Sequence, residues 1–167
     1  IAKAGPECTT TITGRHNRPL VVLGGVTCLV DATISGPVTV LPGASLVATG
    51  GSISGPVTAT GAELLQLSGT SISGPVSVVA ASGAVLLKEG RISGPVSVTL
   101  STGGLRLDSL TVNGPVSVVG NTGSEPVAIA GNTISGPLSC TDNRPAPVNE
   151  GRPNTVRGPA AGQCARL

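Results

Sequence analysis

Apolar and polar residues alternate along this chain in short bursts, and the bursts recur at nearly fixed spacing. In Ile34–Val40 the apolar Ile34, Val38 and Val40 are separated by Ser35 and Thr39. Alternation of period two sends one set of side chains to an inner face of a strand and the other set to an outer face. The phrase ISGPVTV returns as ISGPVTA from Ile53, ISGPVSV from Ile72 and Ile92, VNGPVSV from Val112 and ISGPLSC from Ile134. The starts lie 19, 19, 20, 20 and 22 residues apart. That period is too short for paired-helix repeats and suits one coil of a β-solenoid. The pattern predicts an all-β, single-domain parallel β-helix of about eight coils of 19–22 residues. Right-handed winding is expected, because the strict hexads of left-handed helices are absent.

Aligning the phrases gives columns. The inward ones are Ile34, Ile53, Ile72, Ile92, Val112 and Ile134, then Val38 through Leu138, then Val40, Ala59, Val78, Val98, Val118 and Cys140. The outward column Thr39, Thr58, Ser77, Ser97, Ser117 and Ser139 carries only hydroxyls. A second strand in each coil places Leu46, Leu65, Val85, Leu105 and Val127 inward, with Ala48, Leu67, Leu87, Leu107 and Ile129 two places on. Val47, Gln66, Leu86, Arg106 and Ala128 are read as outward. Gly-Pro marks a corner, with glycine expected for unusual backbone angles and proline at a strand start. Extra residues fall in linkers such as Gly120–Glu125, where solenoids tolerate insertion. Weaker echoes of the phrase flank the six, at Ile12–Val22 and at Thr155–Pro159. The expected organisation is therefore N-terminal capping coils over 1–33, regular coils over 34–140 and a C-terminal capping segment over 141–167.

Composition sharpens this picture. The 167 residues include no Phe, Trp, Tyr or Met, as suits a narrow interior repeated in every layer. Charged residues make up 11% and the net charge is +2, so no nucleic-acid partner is expected. No run of 18 apolar residues exists, so no membrane span is expected. The start at Ile1 suggests a processed product.

Four cysteines lie in two pairs, Cys8 with Cys28 near one end and Cys140 with Cys164 near the other. Each spacing approximates one coil, and strands about 4.8 Å apart fall within the reach of a disulfide. The other pairings would join opposite ends of the rod. Cys140 and Cys164, each following a Gly-Pro pair, are expected in adjacent layers of one column. A zinc or redox site is disfavoured by the lack of C-x-x-C and by a single histidine. Disulfides point to an oxidising, secreted or cell-wall setting.

Chemistry is sparse. The acids Glu7, Asp31, Glu63, Glu89, Asp108, Glu125, Asp142 and Glu150 stand singly. Glu89 and Asp108, with Lys88, Arg91 and Arg106 nearby, are the nearest to a catalytic pair and are read as a solvated charged patch. His16 sits in a polar insertion, Arg15–Arg18, and is read as a surface side chain. No catalytic residue, metal ligand or cofactor is expected. An ice-binding face would need two threonine columns two places apart. The partner column is Leu41, Thr60, Val79, Thr99, Val119 and Thr141, so only Thr58 and Thr60 meet that pattern. The face bearing Leu41, Val79, Val119, Thr39, Thr58 and Thr60 is instead expected to contact another copy of the chain.

The ISGPV-type coils, with Thr27-Cys28-Leu29 and the tail RPNTVRGPAAGQCARL over 152–167, resemble secreted β-solenoid repeat proteins of Gram-positive actinobacteria. The resemblance spans nearly the whole chain. It implies an exported parallel β-helix and carries no agreed activity or catalytic motif. The expected function is a non-enzymatic extracellular structural or surface protein that self-associates as a homo-oligomer. A module binding cell-wall or extracellular polysaccharide is the alternative, followed by a polysaccharide-active enzyme.

Overall fold

The computed structural model describes residues 8–123 and 126–165. Every regular element among them is a strand, and the paired strands run parallel. Each regular coil has three sides. A long strand such as Leu64–Ser68 leads to a two-residue strand, Ser71–Ile72. The chain then passes Gly74-Pro75 and enters a third strand, Val76–Val79. Eight strands of this third kind, from Leu20–Val22 to Ala160–Gly162, form one sheet whose order follows the chain. They fix a β-solenoid of about eight turns. The long and two-residue strands make two further faces, joined through Val26–Ile34, which crosses both.

The columns read from the phrases stack in register. Val57 pairs with Val76, Val76 with Val96, Val96 with Val116 and Val116 with Leu138. All three inward columns of the phrase are essentially sealed from solvent, as are Leu46, Leu65, Val85, Leu87 and Ile129. Branched aliphatics repeated at one height give each layer the same cross-section, so coils stack without voids.

The corners are built differently from expectation. The glycines of the Gly-Pro pairs do not adopt positive φ. Their requirement is steric: a Cβ at Gly55, Gly74, Gly94, Gly114, Gly136 or Gly158 would stand 2.7–2.9 Å from backbone of the preceding coil. The left-handed conformation serves the other two corners. Asp31, Gly50, Gly69, Glu89, Ser109 and Gly131 turn from the long to the two-residue strand. Gly61, Ala80, Leu100, Gly120 and Asp142 end the third strand.

Beside those corners, the C-terminal coils hold two side-chain amide ladders inside the solenoid. Asn121 Nδ2 donates to Asn143 Oδ1 (2.9 Å) and to Val98 O (3.0 Å). Asn143 Nδ2 in turn donates to Gln163 Oε1 (3.0 Å) and Val118 O (2.9 Å). At the opposite corner Asn132 Nδ2 donates to Asn154 Oδ1 (2.9 Å) and Leu107 O (3.0 Å). Each carbonyl oxygen also takes a backbone N–H, as Asn132 Oδ1 does from Leu110. These amides lie in positions that period-two alternation leaves unassigned.

Other expectations change at the ends. His16 is no loop residue; it closes the strand Thr10–His16, stands in register with Ile34 and is half-buried, so it caps that apolar column. Cys140 is level with Gly162, not with Cys164, which follows after a turn. Both disulfides nonetheless form as paired above, with Cα separations of 5.7 Å for Cys8–Cys28 and 5.3 Å for Cys140–Cys164. Residues 1–7, 124, 125, 166 and 167 lie outside the described residues, and with them parts of both capping segments and of the Gly120–Glu125 linker.

Candidate functional site

Strand alternation puts two outward columns on the third-strand face. One holds Val21, Thr39, Thr58, Ser77, Ser97, Ser117 and Ser139, in register from coil to coil. The other holds Leu41, Thr60, Val79, Thr99, Val119 and Thr141, preceded by Leu23, which follows Val22 as Leu41 follows Val40. No charged residue interrupts either column. Thr58 and Thr60 are exposed, whereas Thr39, Leu41, Val79 and Val119 are half-buried by their neighbours in the ladder. Val21 and Leu23 are 49% and 75% exposed, and Leu100 at the adjoining corner is 60% exposed. The face is flat, uncharged, and aliphatic at regular intervals.

Charge gathers elsewhere, on the long-strand face near the C-terminal end. Arg106 reaches across Ala128 to Glu150 (2.7 Å) and also contacts Asp108 (3.4 Å). Asp108 is bound by Arg152 at 2.8 Å and accepts a hydrogen bond from Ser109 Oγ. The hydrogen bond from Arg152 is the main cause that holds the Asp108 carboxyl down at about 2, against the opposing effect of burial. Its expected neighbour Glu89 pairs with Lys88 instead, at 3.8 Å. The Asp108 cluster therefore ties residues 150–152 to the coils beneath them. Ala128, which points outward yet is only 6% exposed, stands between Arg106 and Val148 in adjacent coils. A groove of about 420 Å³ opens beside this cluster, lined by Leu86, Leu105, Pro126 and Val148. Its one cation, Arg106, is already paired with two carboxylates.

No protein-family model, curated protein or solved structure matches this chain. The site must be read from its own chemistry. Among the described residues no three His, Cys, Asp or Glu side chains gather as a metal site, and no helix is long and apolar enough to cross a membrane.

One surface escaped the sequence reading. On the two-residue-strand face, hydroxyls flank the buried Ile as Thr33 and Ser35, Ser52 and Ser54, Ser71 and Ser73, and Thr133 and Ser135, with Arg91 and Asn113 interrupting the two coils between. The paired-hydroxyl spacing sought beside Thr58 and Thr60 is thus repeated on the neighbouring face. The signal was the residue before each phrase, which the alignment began one place too late to include.

Proposed function

We propose that this chain is a non-enzymatic, extracellular structural protein of the secreted actinobacterial solenoid kind, which self-associates side to side through its third-strand face. The observation that carries this reading is the pair of outward columns, uncharged over seven coils and studded with Leu23, Leu41, Val79 and Val119. Exposed aliphatic residues repeated along one uncharged face are a usual mark of a protein contact. Two disulfides support an oxidising compartment. The one dense charge cluster joins carboxylates to arginines in a structural clamp, which suits a scaffold better than an acid–base site.

Size sets the strength expected. Seven layers about 4.8 Å apart and four residues of strand give a face of roughly 30 Å by 13 Å. Two such faces bury on the order of 1,000 Å², the low end for specific complexes. Association should therefore depend on concentration. Sedimentation over a wide concentration range tests it: wild type is expected to dimerise or form larger assemblies, and Val79→Lys with Val119→Lys to stay monomeric. A wild-type chain that remains monomeric at the highest concentration removes the proposal.

The paired hydroxyls of the two-residue-strand face favour a second reading, attachment to a cell-wall or extracellular polysaccharide laid along the rod. Co-sedimentation with insoluble polysaccharide tests it, and loss of binding is expected in Ser54→Asp with Ser73→Asp.

A further inference from the structure

The column Leu41, Thr60, Val79, Thr99, Val119, Thr141 does not merely contain aliphatic residues; it alternates aliphatic and hydroxyl from coil to coil. The mechanical repeat of the rod is one coil, but the chemical repeat of this column is two. The companion column is hydroxyl throughout from Thr39 to Ser139. This combination restricts how two copies can meet.

Two faces packed on each other by two-fold symmetry have their axis in the plane between them. If the axis runs along the rods midway between the columns, the copies are parallel and the two columns exchange places. Val79 then lies against Ser77, and each aliphatic side chain meets a hydroxyl. An axis along the Val79 column would match that column to itself but carry the hydroxyl column off the face. If the axis runs along the strands, the copies are antiparallel and each column meets itself with its layers reversed. An axis passing at Val79 then sets Val79 against Val79, Leu41 against Val119 and Thr60 against Thr99. Aliphatic meets aliphatic and hydroxyl meets hydroxyl at every inner layer. The rim complements too: Leu100, 60% exposed, comes opposite Gly61, which has no side chain. The one unlike pair, Leu23 with Thr141, falls at the outermost layer. Centring the axis between Val79 and Thr99 would set every paired aliphatic residue against a hydroxyl. Centring it between Thr60 and Val79 would leave Leu23 with Val119 as the one aliphatic pair, and centring it on another layer would shorten the overlap.

We infer that a second copy of this chain docks antiparallel on the third-strand face, about a two-fold axis at Val79. This rests on the self-association reading and adds its partner geometry. Single-cysteine variants joined by a short thiol cross-linker test it in the native, disulfide-bonded protein. Val79→Cys is expected to cross-link to itself, and Ser77→Cys to do likewise, so that one poorly folding variant does not decide the matter. Leu41→Cys is expected to cross-link to Val119→Cys in a mixture roughly tenfold faster than to itself, since only that pair is held in contact. Self-linking of Leu41→Cys, or linking of Ser77→Cys to Val79→Cys in preference to either self-pair, would overturn the antiparallel register while leaving self-association intact. A wild-type monomer by sedimentation would instead remove the underlying reading.

Discussion

The two halves of the rod turn their corners by different means. Up to Ala81 the buried residue beyond each left-handed corner is small: Ala32, Ala62, Ala81, and Thr70, whose hydroxyl donates to Gly50 O. Backbone there packs directly on backbone, so that a Cβ at Gly51 would collide with Ala32. Past Ser101 and Leu110, the equivalent places carry Asn121, Asn143 and Gln163 at one corner and Asn132 and Asn154 at the other. The change coincides with coils that lengthen from 19 or 20 residues to 22. The extra residues of the coil from Val112 fall between Asn121 and Val127, while Ile129 to Ile134 keeps the five-residue step of Leu107 to Val112. At both corners the amides bond buried strand carbonyls, Val98 O and Leu107 O, inside the molecule. A side-chain amide can both donate and accept, so one residue per layer restores the bonds. Small residues let backbone pack on backbone at one set of corners; amides bond the backbone at the other.

Breaking the amide half should have the largest effect. Asn143→Leu removes the partners of Asn121 N, Asn121 Nδ2 and Val118 O together. Buried groups left unbonded cost about 1–3 kcal/mol each, so a loss of about 4 kcal/mol is expected in denaturant melts. A loss below about 1 kcal/mol would mean that packing alone carries these corners as well.

The disulfides sharpen the comparison next. Cys8 is exposed, whereas Cys140 and Cys164 are fully buried beside the Asn143–Gln163 bonds. Limited reductant should open Cys8–Cys28 first, because access governs exchange. Loss of that bond, about 3 kcal/mol for a loop of this size in the chain-entropy model, should fray the first coil before the last. Partial reduction, alkylation and peptide mapping, followed by hydrogen exchange, would show the order. Earlier opening of Cys140–Cys164 would contradict it.

Ser101 stands at the boundary. Its N–H donates to Asn121 Oδ1, yet its hydroxyl is the only buried side-chain polar atom without a partner among the described residues. Ser101→Asn should extend the ladder by one rung, and a gain of about 1 kcal/mol is expected in thermal melts. Destabilisation would show that the amide corner cannot extend into the shorter coils.

The smallest effect concerns acid. The Asp108 carboxyl is lowered to about 2 in the folded chain, against about 3.9 when unfolded. Its contribution is thus complete above about pH 4 and is lost as pH falls through about 2. The arginines are partly exposed, so the change should stay within about 1 kcal/mol. Asp108→Asn should flatten that segment of the stability profile, while the N-terminal coils respond to pH as in wild type. An unchanged acid limb would mean that the clamp contributes nothing.

The strands were legible in the sequence because a repeated phrase aligned itself. Ile34 to Ile134 and Val38 to Leu138 could be assigned inward from alternation alone. The Gly-Pro corner was legible in place though not in cause, and the other two corners were not legible, since alternation stops where the chain turns. Asn121, Asn132 and Asn143 each lie three residues past the last inward residue of a strand and look like ordinary loop residues. Ala128 has the outward direction expected of it, and its burial was not legible because the residues beside it, Arg106 and Val148, belong to neighbouring coils. The candidate face was visible as a column, Leu41 to Thr141, whose alternation by coil the repeated phrase already displays, and register puts Val79 between Thr60 and Thr99 as that alignment expects.

The stacked Gly-Pro corners have a consequence for how such a chain can vary. Any replacement of glycine adds at least one carbon, and at Gly55 through Gly158 that carbon has nowhere to go. Each corner thereby proofreads the one before it. Length can change by whole coils, since a duplicated coil brings its own glycine, but a single substitution at any of these corners forces its coil away from the one before it.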